Sequence, residues 1–269
     1  MTYQDLWHRL TPLYDEGEAQ AIVRLVLEVQ FGITLPDIYT GKVNELSREE
    51  EEELEKIILR LERSEPVQYV LGRETFCGRT FHVAPGVLIP RPETEVLCRW
   101  IEEDNNQCYC ALQPPAPLQV LDVGTGSGCI AVTLAADLRN SAVTAWDISG
   151  DALLIARENV HQWQVRVELK MEDALHPSAS AMQQQFDIIV SNPPYICDKE
   201  RTGMAKNVLA YEPEQLSSFQ TMTHYASIGQ SLSMACRLCQ LMVHFISRPT
   251  HYISVSYNHL RAHETGRKP

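Results

Sequence analysis

No apolar stretch of this chain approaches the roughly 20 residues that cross a bilayer, and no basic, apolar, small-residue leader opens it. Both absences argue against a helical membrane protein or a secreted one and point to the cytoplasm. Positive charge is scarce as well: 23 Lys and Arg stand against 35 Asp and Glu, a formal net charge of −12. Duplex DNA is held by clustered cations that neutralise phosphates, so this balance opposes a DNA substrate and leaves a protein partner open. The cysteines at 77, 98, 108, 110, 129, 197, 236 and 239 form no regular framework and read as reduced cytosolic thiols. Cys236 and Cys239 make a C-x-x-C, but neither a second pair nor a histidine stands at ligand spacing, so no metal site is expected.

What is present carries more. With 44% hydrophobic and 22% charged residues over 269 positions, the chain is globular and long enough for one large domain and a small one. Residues 1–75 read as helical. Ile22, Leu25, Val26 and Val29 fall on one helical face, and Leu54, Ile57, Ile58 and Leu61 on another. Ser47 and Glu50 form a capping box, and the acid run Glu49 to Glu53 suits the positive end of that helix. Residues 76–95 have the turn and aromatic content of a β-hairpin linker. After the loop Pro114-Pro115-Ala116-Pro117, strand-like and helix-like runs alternate, the pattern of a parallel, doubly wound α/β sheet.

Two motifs sit in that alternation. The strand Leu118 to Leu121 runs into Asp122-Val123-Gly124-Thr125-Gly126-Ser127-Gly128 and then a helix from Ile130 to Ala136. Glycines there admit positive φ and close approach of a ligand to the backbone, and the helix start offers free N–H groups. A dinucleotide site prefers Gly-x-Gly-x-x-Gly, whereas here the third glycine comes one place early and Cys129 holds its slot. A second strand, Val143 to Asp147, ends in an acid about 20 residues on, where a carboxylate can accept both hydroxyls of a ribose. The alternative for Asp147 is a helix N-terminal acid. After a third run, Val165 to Leu169, Asp173 could accept from an adenine amino group or belong to a solvated loop.

The other motif is Asn192-Pro193-Pro194-Tyr195, directly after the apolar run Phe186 to Val190. A strand ending in a proline-stiffened turn presents a carboxamide, two residues without N–H donors and an aromatic ring at the sheet's carboxyl edge. Carbonyls there can accept from a planar –NH2 group while the ring stacks on it, which suits a site that holds an amide or aromatic amine nitrogen for reaction. A plain turn is the alternative.

The spacing Asp-x-Gly-x-Gly-x-Gly resembles motif I of the class I S-adenosylmethionine-dependent methyltransferases. The order glycine loop, Asp147, Asp173, Asn192-Pro193-Pro194-Tyr195 is that of the enzymes that methylate amino groups. Gln68-Tyr69-Val70-Leu71-Gly72 and Gly86-Val87-Leu88-Ile89-Pro90-Arg91-Pro92-Glu93-Thr94-Glu95 narrow the likeness. Over residues 1–215 the chain resembles the PrmC/HemK family, the N5-glutamine methyltransferases of peptide chain release factors. The resemblance implies a Rossmann-like sheet at 96–215 and a small N-terminal helical domain that recognises substrate. It implies S-adenosylmethionine held by Gly124, Thr125, Gly126, Ser127, Gly128, Asp147, Asp173 and Asn192. It implies catalysis by Asn192, Pro193, Pro194 and Tyr195, with the Asn192 oxygen and the Pro193 carbonyl accepting the two amide hydrogens and Tyr195 packing on the amide plane. The partner would be a release factor, met through its Gly-Gly-Gln loop by a monomer that binds no nucleic acid or membrane directly; Glu93 and Glu95 lie in a segment flanking the site. Two other readings stay open: a nucleic-acid adenine N6-methyltransferase, which shares the Asn-Pro-Pro-Tyr turn, and an inactive fragment.

The last reading arises because the likeness stops. After Tyr211-Glu212-Pro213 the family continues with a few residues and then Pro-Asp-Asp-Asp-Pro-Leu-x-Phe-Tyr, whereas this chain has Phe219-Gln220-Thr221-Met222-Thr223-His224-Tyr225. Joining each codon's third base to the next codon's first two permits Pro, Asp and Asp from Phe219 to Met222. Met222 followed by Thr223 then forces Asp. Residues 216–269 therefore read as an out-of-frame tail, displaced by one base near Gln215, with Ser254 to Thr265 similar to translated adapter sequence; a divergent native tail is the alternative. Loss of the family's last strands is expected to leave a bare sheet edge.

Overall fold

The computed structural model describes residues 1–108, 116–174, 176–192 and 252–254. They fall into two compact units that part between Arg73 and Glu74.

The first unit is helical: α1 (Tyr3–Leu10), α2 (Glu16–Phe31), α3 (Leu35–Tyr39), α4 (Arg48–Leu61) and α5 (Val67–Leu71). Local chemistry sets the helix starts. Thr2 and Asp15 accept from the N–H groups of Asp5 and Glu18, and Ser47 with Glu50 closes the expected capping box on α4. The core is Leu6 and Leu10 of α1, Val23, Val26 and Leu27 of α2, and Leu54, Ile58 and Leu61 of α4. Arg9 reaches from α1 to Glu55 of α4 and to Glu62, which caps the end of that helix.

The α4 face is the one its periodicity predicts. The α2 face is not: Ile22 and Val29 are half-buried and Leu25 is 39% exposed, while Ala19, Val23, Val26 and Leu27 are buried. Apolar residues occupy 21–23, 25–27 and 29, enough for two overlapping stripes, so spacing alone could not choose between them.

The second unit opens with a hairpin, β1 (Arg73–Phe76) and β2 (Arg79–His82), whose first strand begins at the unit boundary. Cys77 and Gly78 turn it with φ of 48° and 71°, the two positive values that a type I′ turn demands. The hairpin is fastened to the helices α7 (Cys129–Asp137) and α8 (Gly150–Gln162). Arg79 makes a bidentate pair with Asp137, and the Trp163 indole and Gln162 amide both donate to the Thr80 carbonyl. Residues 76–95 are thus no uniform linker. Pro92, whose missing N–H costs nothing in a first turn, begins α6 (Pro92–Cys108), with Glu93 and Glu95 placed for the dipole.

The sheet has the order β5-β4-β3-β6-β7, all parallel, from β3 (Leu118–Val123), β4 (Ser141–Asp147), β5 (Val167–Met171), β6 (Ile188–Ser191) and β7 (Tyr252–Ser254). One face (Val120, Val143, Ala145, Ile188, Val190) packs with Leu97, Cys98 and Ile101 of α6, residues 129–134 of α7, and Phe76 and Phe81. The other carries Leu121, Val123, Trp146 and Ile189 against Phe186 and Ala181. The expected bare edge of β6 is corrected over three residues, because Tyr252, Ile253 and Ser254 pair with Ile189, Val190 and Ser191. Free N–H and C=O groups along an edge accept almost any extended partner, and Tyr and Ile are good strand formers.

Truncating Ile58, fully buried on α4, should cost about 2–5 kcal/mol, while Leu25→Ala on the exposed side of α2 should cost less than about 0.5 kcal/mol. Urea titrations followed by helix signal compare the two; equal losses would return Leu25 to the core.

Candidate active site

Strand order fixes where a site can be. β3 lies between β4 and β6, so the chain leaves β3 toward one side of the sheet and later returns to the other. Open parallel sheets bind ligands beyond the strand carboxyl ends at such a reversal. The glycine turn follows β3, Asp147 ends β4 and Asn192 follows β6, so these three expected positions meet there.

The turn is held from the neighbouring strand. The Trp146 carbonyl accepts from Gly124 N–H (2.9 Å) and Thr125 N–H (3.0 Å), and Asp147 Oδ2 accepts from Gly126 N–H at 2.8 Å. Gly124 has φ +73°, and a Cβ there would meet no protein atom within 4 Å; the turn opens onto space that a ligand can enter. Gly128 is glycine for another reason: a Cβ would lie 3.1 Å from that of Ala156 on α8. Thr125 and Ser127 are buried, and the Thr125 hydroxyl donates to Asp122 rather than toward the opening.

Asp147 is anchored at both ends of its carboxylate, since Oδ1 accepts from Ser149 N–H at 2.9 Å. Each oxygen keeps lone-pair capacity for a further donor, which fits a pair of ribose hydroxyls. Ile148 (61% exposed) follows it, and Met171 (65% exposed) is its register partner on β5. Sequence reasoning missed this apolar pair, although an isoleucine directly after a strand-end acid was a visible signal. Asp173 stands beyond β5 with a carboxyl oxygen 3.0 Å from the His176 ring nitrogen, while Glu172 binds the Ser178 hydroxyl and N–H.

On the other side of β3, the Ser191 hydroxyl donates to the Val123 carbonyl at 2.8 Å. The next residue, Asn192, donates from Nδ2 to the Thr94 hydroxyl at 2.8 Å. Pro193, Pro194 and Tyr195 lie outside the described residues. Glu95 turns to the hairpin, where it accepts from Cys77 N–H. Buried Asn159 of α8 accepts from His82 N–H and donates to the His82 and Ser127 carbonyls, joining hairpin and glycine turn. No motif pointed to it; a polar residue on an otherwise apolar helix face was the only trace.

Beneath the turn sits Asp122, wholly buried. Loss of solvent pushes its carboxyl up to about 7, which the Thr125 hydroxyl and Ala131 N–H only partly oppose and the Asp147 charge reinforces.

A turn that admits a ligand to its backbone, a strand-end acid with lone pairs to spare and apolar residues beside it fit an adenosyl group. With the sheet order, they define a class I methyltransferase. The family model Methyltransferase small domain matches residues 110–222, and PrmC N-terminal domain matches residues 8–72. The release factor glutamine methyltransferase of Bacteroides thetaiotaomicron is 45% identical over 206 residues, covering 76% of this chain and 70% of that protein. That of Flavobacterium psychrophilum is 37% identical over 204 residues, with coverage of 76% and 70%. The chain belongs to the release factor glutamine methyltransferase family. A solved structure of a T. thermophilus 16S rRNA N2 G1207 methyltransferase with AdoMet and guanosine is similar over 47% of this chain and 33% of that one, at 24% identity and TM-score 0.37.

Because Asp122 holds its proton in the fold and loses it in the unfolded chain between roughly pH 4 and 7, its contribution to stability is full below that window. It is lost as pH rises through about 7. At about 1.36 kcal/mol per unit, the swing is on the order of 4 kcal/mol. Asp122→Asn should remove it, so the stability difference between variant and parent grows in the variant's favour from pH 4.5 to 8. Urea midpoints measured across that range test this; a constant difference would mean that Asp122 is ionised throughout.

Proposed function

We propose that this chain transfers a methyl group from S-adenosylmethionine to the side-chain amide nitrogen of a glutamine in the Gly-Gly-Gln loop of a peptide chain release factor. The observation that carries the reading is the meeting of the glycine turn, Asp147 and Asn192 at one switch point, in a chain of this family. Bound S-adenosylmethionine supplies the electrophilic methyl on its sulfonium. Gly124, Thr125, Gly126, Ser127 and Gly128 shape the backbone that receives it, Asp147 takes the ribose, and Asp173 takes the adenine amino group.

An amide nitrogen is a poor nucleophile because its lone pair is shared with the carbonyl. Asn192 answers this by position and polarity: its side-chain oxygen accepts an amide hydrogen and favours the pyramidal nitrogen that bond formation needs. Pro193 offers its carbonyl to the second hydrogen, Pro194 stiffens the turn, and Tyr195 packs on the amide plane. Bringing reactants into attack geometry is the large contribution, about 7–11 kcal/mol in favourable cases, and acceptors that tighten as nitrogen gains positive charge add to it. The C–N bond forms as the methyl–sulfur bond breaks and the thioether leaves. The nitrogen then sheds its surplus proton to solvent, so no strong base is required before the transfer. The helical unit, residues 1–75, recognises the release factor, and the enzyme works as a monomer in the cytoplasm without direct contact to nucleic acid. The acidic balance disfavours the adenine-methylating alternative.

Residues 216–269 are, in this reading, out of frame, and the family's closing strands are missing from the 96–215 domain. Restoring the frame at Gln215 should raise activity and the cooperativity of thermal melts. An equally active, equally cooperative parent would make the tail a native element.

Radiolabelled methyl transfer to a release factor and calorimetric titration with S-adenosylmethionine test the assignment. Asp147→Ala should weaken cofactor binding. Asn192→Ala should leave that binding largely intact and abolish transfer. Retained transfer would reduce the Asn-Pro-Pro-Tyr turn to a structural role.

A further inference from the structure

We infer that Asn159 is a positioning residue for the cofactor: it fixes the orientation of the Ser127–Gly128 peptide, and with it the shape of the glycine turn that receives S-adenosylmethionine. The inference rests on the cofactor site proposed above and names what holds that site in form from behind.

The roles in this contact are not interchangeable. Asn159 is 0% exposed, and its partners are backbone groups. Its Oδ1 accepts from His82 N–H at 2.7 Å, while Nδ2 donates to the His82 carbonyl at 2.9 Å and the Ser127 carbonyl at 2.8 Å. A backbone N–H only donates and a carbonyl only accepts, so the carboxamide has one satisfactory orientation. Turned over, it would set its oxygen against two carbonyls and its NH2 against an N–H.

The group it grips is one that needs holding. A peptide is planar, so the Ser127 C=O and the Gly128 N–H move as one body. The N–H end donates to the Thr125 carbonyl at 2.8 Å, and the C=O end is held by Asn159. Gly128 follows with φ +79°, and glycine takes φ of either sign at little cost. Left to itself the peptide could turn over, breaking the bond to Thr125 and swinging the Ser127 carbonyl away from α8.

A bulkier residue at 128 would remove that freedom, but α8 forbids one. A Cβ at Gly128 would lie 3.1 Å from that of Ala156, one turn before Asn159 on the same face of α8. The helix therefore plays two parts against one peptide. Ala156 lets the turn approach closely enough to require glycine, and Asn159 replaces the rigidity that glycine gives up. The other side of the turn is held separately, by Trp146 and Asp147 of β4. A turn fixed on both sides before the ligand arrives spends less binding energy on ordering.

The test uses the full chain with two substitutions and a control. Asn159→Asp keeps the size and the acceptor for His82 N–H but turns lone pairs toward both carbonyls. Asn159→Leu fills the space with neither donor nor acceptor. Val143→Ala removes core packing on β4 and leaves the three Asn159 bonds in place. The Gly128 amide should exchange slowly with solvent deuterium in the parent and in Val143→Ala, and rapidly in both Asn159 variants. Calorimetric titration should show S-adenosylmethionine bound on the order of 10-fold more weakly by both Asn159 variants, the scale of a lost bond to a buried carbonyl. In transfer assays the KM for cofactor should rise by the same factor, while kcat at saturating cofactor stays near that of the parent. Loss of stability alone lowers kcat through the folded fraction and spares KM, the pattern expected of Val143→Ala. Parent-like cofactor affinity in the Asn159 variants, or a Gly128 amide still protected in them, would overturn the inference. Where only one of the two folds, that one decides, and rapid Gly128 exchange in the parent would overturn it without any variant. A parent that binds cofactor in this way but transfers no methyl group would overturn the proposed reaction and leave the role of Asn159 standing.

Discussion

The position of β3, hydrogen-bonded to β4 on one edge and to β6 on the other, is the constraint on which the candidate site depends. Each neighbour brings one chemical role to the carboxyl end of the sheet. β4 ends in Asp147, and β6 hands on to Asn192. Register turns proximity into alignment, since Val123 faces Trp146 on one side and Ser191 on the other. A slip of one residue in either pairing would also exchange the buried faces, taking Val120, Val143 and Ile188 out of their common core.

Around that frame, polar groups do the fine placement. Trp146 and Asp147 suspend the glycine turn through their carbonyl and carboxylate, so the loop and the strand-end acid form one unit instead of two independent contacts. A carboxylate already fixed by Gly126 and Ser149 loses little freedom when a ligand arrives, which favours binding by preorganisation. Asp122, buried and with its carboxyl pushed up by loss of solvent, lies below, a polar group that the fold tolerates beneath a loop built on glycines.

Much of this was legible in the sequence. The apolar runs that become β3, β4 and β6 are short and bounded, so their length and flanking turns identified them, and the capping box gave the start of α4. The glycine spacing and the Asn-Pro-Pro-Tyr turn mark loops whose chemistry is local. What escaped depends on partners distant in the chain. Thr94 gains meaning only through Asn192, Asn159 only through His82 and Ser127, and the buried stripe of α2 only from the helices packed on it. Residues 92–95 read as the end of a β-hairpin linker, yet Pro92 is a favourable first helical residue.

Asn159 has one further consequence, for the behaviour of the chain among other chains. A hairpin strand offers the backbone groups of its outer side to any extended segment that drifts near. At His82 both the N–H and the C=O are taken up by a single buried side chain, which satisfies them as a neighbouring strand would. The strand is thus closed at that point by an amide of its own molecule, leaving nothing there for a second copy to pair with.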